Sequence, residues 1–128
     1  MKSRGGRVET KSGLEELSRL LGANRYSFQS EAELHECLAD VLDAAGVAYQ
    51  REVRLSEAHR VDFMVGRLAV EVKLSGPLSA LTRQVHGYLQ HEEVDGVLVV
   101  AAKTRLAGLP GEVSGKPVRT LVLVESML

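Results

Sequence analysis

Two carboxylates and a lysine are set into two short apolar runs. Asp62 lies in RVDFMV, Glu71 and Lys73 lie in LAVEVKL, and only Gly66 and Arg67 separate the runs. A glycine at the first central position of a two-residue turn suits a type II′ hairpin. The register then sets Val65 against Leu68, Met64 against Ala69, Phe63 against Val70 and Asp62 against Glu71. Side chains alternate across a sheet. Val61, Phe63, Val65, Leu68, Val70 and Val72 therefore form one wholly apolar face, and Asp62, Met64, Ala69, Glu71 and Lys73 form the other. Carboxylates directly opposite one another stand roughly 5 Å apart and repel. Lys73 supplies one compensating charge; a divalent cation supplies a stronger one. Mg²⁺ takes one or two carboxylates together with water and phosphate oxygens. It lowers the pKa of bound water and stabilises charge on a phosphate in transfer. The plain alternative is an exposed sheet face with an ordinary Glu–Lys pair, which contributes little.

The hairpin needs elements to hold it. Ser30 and Glu33 have capping-box spacing, and Leu34, Leu38, Val41, Leu42 and Ala45 recur at helical period up to the stop at Gly46. VAYQREVRL reads as a strand before the hairpin. LSALTRQVHGYLQHEE reads as a second helix with Leu81, Val85, Tyr88 and Leu89 on one side. DGVLVVAAK is the near-continuous apolar run of a buried strand, and GKPVRTLVLVE follows as another strand after a Gly/Pro turn. Residues 1 to about 12 read as a flexible basic arm, and LEELSRLL, from Leu14, as a short helix that must pack on something to persist. The order helix, three strands, helix, two strands is that of an α/β domain with a mixed sheet.

At 128 residues the chain is sized for one domain. Aromatics are only 4% and Trp is absent, so the core must be built from Val, Leu and Ala. The single cysteine, Cys37, excludes an internal disulfide and a multi-cysteine zinc site. No apolar run spans a membrane and no signal-peptide pattern opens the chain; the expectation is a cytoplasmic protein with no membrane contact. The net charge of −1 is unevenly spread. Lys2, Arg4, Arg7 and Lys11 are basic, the helix from Glu31 to Asp43 is acidic, and Lys103, Arg105, Lys116 and Arg119 are basic again. Such spacing permits a polyanion-binding face on a near-neutral protein. His59, His86 and His91 have no metal-ligand spacing, and there is neither a Gly-rich phosphate loop nor a Ser/His/Asp set.

Asp62 followed by Glu71-Val72-Lys73 on the next strand resembles the PD-(D/E)XK nuclease superfamily, and the order of elements resembles its restriction-endonuclease-like αβββαβ core. The resemblance runs from about Ser30 to Ala101; Val61 stands where the formal motif has proline. It implies a Mg²⁺-dependent deoxyribonuclease, with Mn²⁺ able to substitute, that hydrolyses DNA phosphodiester bonds, selectively at junctions or ends. Asp62, Glu71 and the Val72 backbone carbonyl would hold the metal, and Lys73 would orient or help deprotonate the attacking water. Superfamily members often add a glutamate from the first helix. Of the three available, Glu31 lies nearest the edge of the apolar stripe and fits E-x-x-L-x-x-x-L-x-x-x-L-x-x-x-G, ending at Gly46. The RecB-like branch uses a histidine there instead, which His35 could supply, and the sequence leaves the choice open. Gln84 and Tyr88, within QVHGY, resemble the Q-x-x-x-Y motif of the same branch. Arg4, Arg7, Lys11, Arg60 and Arg83 would hold phosphates. The implied organisation is an arm and short helix over 1–29 and a nuclease-like domain over 30–128, acting on DNA as a homodimer. The alternative from another class is a catalytically inactive module of this fold that binds nucleic acid or a protein partner.

Overall fold

The structure, a computed structural model, describes residues 7–123. Arg4 lies outside the described residues. Helix α1 runs Arg7–Gly22, starting well before the expected Leu14. Its Leu14, Leu17 and Leu21 are buried in the same core as the rest of the chain. Its last turn is closed by side chains: Asn24 Nδ2 donates to the Leu20 carbonyl at 2.8 Å, and the buried Tyr26 hydroxyl donates to the Leu21 carbonyl at 2.7 Å.

Helix α2 spans Glu31–Ala44. Ser30 caps it, its hydroxyl accepting from the Glu33 N–H at 3.1 Å, while the Glu33 carboxylate accepts from the Gln29 N–H at 2.7 Å. The far end is a Schellman closure: Val47 N–H bonds the Leu42 carbonyl, Gly46 N–H bonds the Asp43 carbonyl, and Gly46 takes φ +70. Leu34, Leu38 and Leu42 are buried as the period requires, but Ala39 replaces Ala45 on the inner face.

Strands β1 (Gln50–Arg54), β2 (Arg60–Val65) and β3 (Leu68–Lys73) form an antiparallel meander. Helix α3 (Leu78–Leu89) crosses to β4 (Gly96–Ala101), which is parallel to β3. A 3₁₀ turn leads to the two-residue β5 (Glu112–Val113) and to β6 (Lys116–Val122), parallel to β4. The mixed six-stranded sheet has the order β1-β2-β3-β4-β6-β5.

Apolar packing covers both faces. Val70, Val72, Leu98 and Val100 meet α1 and α2, while Ala69, Val97, Val99 and Ala101 meet Leu81, Val85, Tyr88 and Leu89 of α3. All six residues of β4 are buried, which is why that run reads as continuously apolar. One alternative for the hairpin is removed and one expectation changes accordingly. The face carrying Met64, Ala69 and Glu71 is not open to solvent but roofed by α3. Val61 belongs to that α3 side, whereas Phe63 points to α1 and α2.

Candidate active site

The switch of face between Val61 and Phe63 has a local cause. Strand β1 pairs with β2 at Arg51–Phe63 and Val53–Val61, but nothing pairs at Glu52 and Asp62. Glu52 takes φ +50, a left-handed conformation that a glutamate adopts at a cost. On the other side, the β2–β3 ladder is kept at Val65–Leu68, Met64–Ala69 and Phe63–Val70 and then stops. Asp62 is therefore not a paired strand position opposite Glu71, as the extrapolated register had it. It sits where β2 leaves β3, and its side chain takes over the bond that the strand backbone would have made. Asp62 Oδ2 accepts the Val72 N–H at 2.8 Å. Distortions of this kind re-aim side chains beside functional sites. Because the N–H and C=O of a strand residue point the same way, the Val72 carbonyl is turned towards Asp62 too.

Glu71 is one of two buried polar residues in the described chain, 5% exposed. Helix α3 reaches both of its oxygens. Gln84 Nε2 donates to Glu71 Oε2 at 3.0 Å and lies 2.7 Å from the Tyr88 hydroxyl, itself 3.0 Å from Glu71 Oε1. The same hydroxyl is 3.0 Å from the Arg60 carbonyl on β2. The four-residue spacing of Gln84 and Tyr88 puts them side by side on the helix, and both serve Glu71. Burial, and next the charge of Asp62, push the Glu71 carboxyl up to about 8, against the opposing hydrogen bond from Tyr88. Asp62 is raised by burial, partly offset by the Val72 N–H and by His35, and raised further by Glu31. Tyr88 is driven well above its ordinary value by burial and by the Glu71 charge. Three neighbouring groups thus all resist carrying negative charge without a cation among them.

Both candidates from α2 reach this place. His35 Nε2 is 3.4 Å from Asp62 Oδ2, yet it is a buried atom without a hydrogen bond, and the ring rests edge-on against Phe63 at 5.7 Å. Glu31 Oε2 accepts the Leu74 N–H at 3.3 Å, just beyond Lys73. Lys73 is half-buried and forms no ion pair among the described residues, but its charge favours the ionised forms of Asp62 and Glu71. Asp62, Glu71, Val72, Lys73, Glu31, His35, Gln84 and Tyr88 are thus gathered at the carboxyl end of β3.

The expected phosphate-binding residues are more dispersed. Arg60 opens β2 two residues before Asp62, is exposed, and approaches Glu52 at 3.7 Å. Arg83 is exposed beside Gln84 on α3. Lys11 is exposed on α1, next to Thr10, which crowds Gly96 at the start of β4. That is the opposite end of the sheet from Lys73, which pairs with Ala101 at the end of β4. Arg7 is the first residue of α1.

One supporting pair escaped sequence reasoning. His59 sits over Gly87, where a Cβ would fall 2.4 Å from its Nε2. It also meets Tyr88 edge-on at 5.8 Å and hydrogen-bonds His91 at 2.9 Å. A glycine inside a helix costs about 1 kcal/mol relative to alanine. Gly87, one position before Tyr88, was the available signal.

Among the described residues, no three His, Cys, Asp or Glu side chains stand close enough to hold a metal ion unaided. What converges is two carboxylates and the Val72 carbonyl, with the buried His35 nitrogen 3.4 Å from Asp62 Oδ2. The oxygen donors fit a Mg²⁺ ion, which takes one or two carboxylates and completes its shell with water and phosphate oxygens; the His35 nitrogen is not a ligand Mg²⁺ favours. No family model matches the chain, and neither curated proteins nor solved structures show a match to it.

Proposed function

We propose that the chain is a metal-dependent nuclease of the PD-(D/E)XK type, with a restriction-endonuclease-like core, that hydrolyses DNA phosphodiester bonds. The observation that carries this reading is the buried Glu71. Its carboxyl is held by two side chains of α3, lies beside Asp62, and is pushed up to about 8 mainly by burial. A purely structural position would be cheaper with an apolar residue.

Asp62, Glu71 and the Val72 carbonyl would hold Mg²⁺, with Glu31 or His35 beside them. The bound ion supplies an acidified water and charge stabilisation on the phosphate. Gln84 and Tyr88 keep Glu71 aimed into the fork, so its position is set before substrate arrives. The Val72 N–H does the same for Asp62. Lys73 places a positive charge where negative charge grows on the phosphate oxygens, and its ammonium can orient the attacking water by donating to it. Arg60 and Arg83 would contact flanking phosphates.

The test is incubation of supercoiled plasmid, linear duplex, four-way-junction DNA and RNA with Mg²⁺, Mn²⁺ or EDTA. Metal-dependent cleavage of at least one DNA substrate is expected. Asp62→Asn and Lys73→Ala should each reduce it by roughly a hundredfold or more, with the circular dichroism spectrum retained. Absence of metal-dependent cleavage on every substrate sinks the reading and leaves the inactive binding module. Cleavage that survives both substitutions assigns the activity elsewhere.

A further inference from the structure

At the end of the sheet away from the carboxylates, the outer flank of α1 is hollow. Gly13, Leu17, Leu20, Val47, Val65 and Leu68 wall a cavity of about 390 Å³ between α1, the exit of α2 and the hairpin turn. A second hollow of about 360 Å³ continues from Leu20 past Val41 and Ala44. A third, of about 260 Å³, continues from Gly13 to Thr10. Together they make one trench along α1 from Glu9 to Leu20, about 18 Å at the helical rise. Gly13 leaves its floor open at a place where helix propensity favours a side chain.

Among the described residues, the charges on this trench that form no ion pair have one sign. Glu9, Glu16 and Asp40 stand on it, exposed and without an ion pair among the described residues. The one cation in its walls among the described residues, Arg67, is already engaged, its Nε donating to Asp95 Oδ2 at 2.8 Å and its Nη2 to the Glu92 carbonyl. Acidic rims exclude nucleic acid. They also disfavour a second copy of this chain, because a two-fold interface sets each rim carboxylate against its own kind. The walls are side chains rather than a free strand edge, so an occupant must satisfy its own backbone hydrogen bonds, as a helix does.

We propose that this trench binds an amphipathic helix of another protein, one with an apolar stripe flanked by Lys and Arg. The surface lies at the Leu68 end of β3 and the carboxylates at the Lys73 end, so helix and substrate can be held together. The proposal does not depend on the nuclease reading.

Two synthetic helical peptides of about 18 residues, matched to the trench, test it: one leucine stripe flanked by lysines, the other by glutamates. Fluorescence anisotropy with the full chain should show saturable binding of the lysine peptide, tighter than the glutamate peptide by roughly tenfold or more and weakened by salt. Leu20→Asp should abolish binding; Val47→Asp, on a different wall, serves as the second variant should the first fail to fold. A double exchange, Glu16→Lys with Asp40→Lys, should reverse the preference between the peptides. Equal binding of the two peptides, or binding indifferent to both aspartate variants, overturns the proposal. So does a dimer seen by light scattering that Leu20→Asp splits, since the second copy would then be the occupant.

Discussion

At Glu71 the proton count is instructive. The Tyr88 hydroxyl has one proton and two acceptors at 3.0 Å, the Arg60 carbonyl and Glu71 Oε1. When Glu71 is protonated, it can donate to Tyr88 and Tyr88 to Arg60, and every group is satisfied. When Glu71 ionises, the single proton cannot serve both acceptors. A carboxyl at about 8 in the folded state, against an ordinary value near 4.5, binds its proton more tightly folded than unfolded. Its contribution to stability is therefore complete below about pH 4.5 and is lost as pH rises through about 8. Each unit is worth about 1.4 kcal/mol, so the loss is on the order of a few kcal/mol. In EDTA, the thermal midpoint of the wild-type chain should fall between pH 5 and 8, while that of Glu71→Gln should stay nearly level over the same window. Added Mg²⁺ should raise the wild-type midpoint most at the alkaline end, where both carboxylates are free to bind it. Parallel wild-type and Glu71→Gln curves would remove the case for an unusual carboxyl.

Among the elements, α3 does most to set the site, because it roofs the sheet and carries Gln84 and Tyr88. Its seating depends on His59 lying over Gly87. Gly87→Ala brings a methyl to 2.4 Å from the His59 ring, and overpacking of this sort costs roughly 1–3 kcal/mol. Chemical denaturation should show that loss. His59→Ala removes the obstacle, so the double variant should be more stable than the sum of the two single losses; strict additivity would mean the contact is not what seats the helix. The hairpin turn has its own clamp. Arg67 bonds the Asp95 carboxylate and the Glu92 carbonyl, and its own carbonyl accepts from the Asp95 N–H at 2.8 Å. Arg67→Ala removes the Nε bond to the half-buried Asp95 carboxylate and the Nη2 bond to the Glu92 carbonyl, and should cost roughly 1–3 kcal/mol by the same denaturation measurement.

Over the whole molecule, legibility followed the range of the cause. The inner faces of α2 and α3 were readable because Leu34, Leu38 and Leu42, and Leu81, Val85 and Leu89, obey a local period. The turn and three hairpin pairs were readable because Gly66 takes φ +58 and the register follows from it. The fork at Asp62 was not, since it depends on Glu52 in a different strand adopting a left-handed conformation. Nor was the burial of Glu71, which depends on where α3 lands.

The start of the chain shows the same limit. Residues 1 to about 12 read as an arm, yet α1 already begins at Arg7; the helix expected from Leu14 is present and sinks Leu14, Leu17 and Leu21 beside Phe63, Leu98 and Val100. Burying a leucine is worth about 1.5–3 kcal/mol, so these three together contribute on the order of 5–9 kcal/mol, against a total of about 5–15 for a typical domain. A chain beginning at residue 23 would open the core over β4 and also free the Tyr26 hydroxyl from the Leu21 carbonyl. It should lack a cooperative thermal transition and dispersed amide resonances. A shorter deletion that keeps residues 7–128 should retain both, as should Lys11→Ala, whose side chain is exposed. Cooperative unfolding of the 23–128 fragment near the wild-type midpoint would instead make α1 an accessory laid over a domain complete without it.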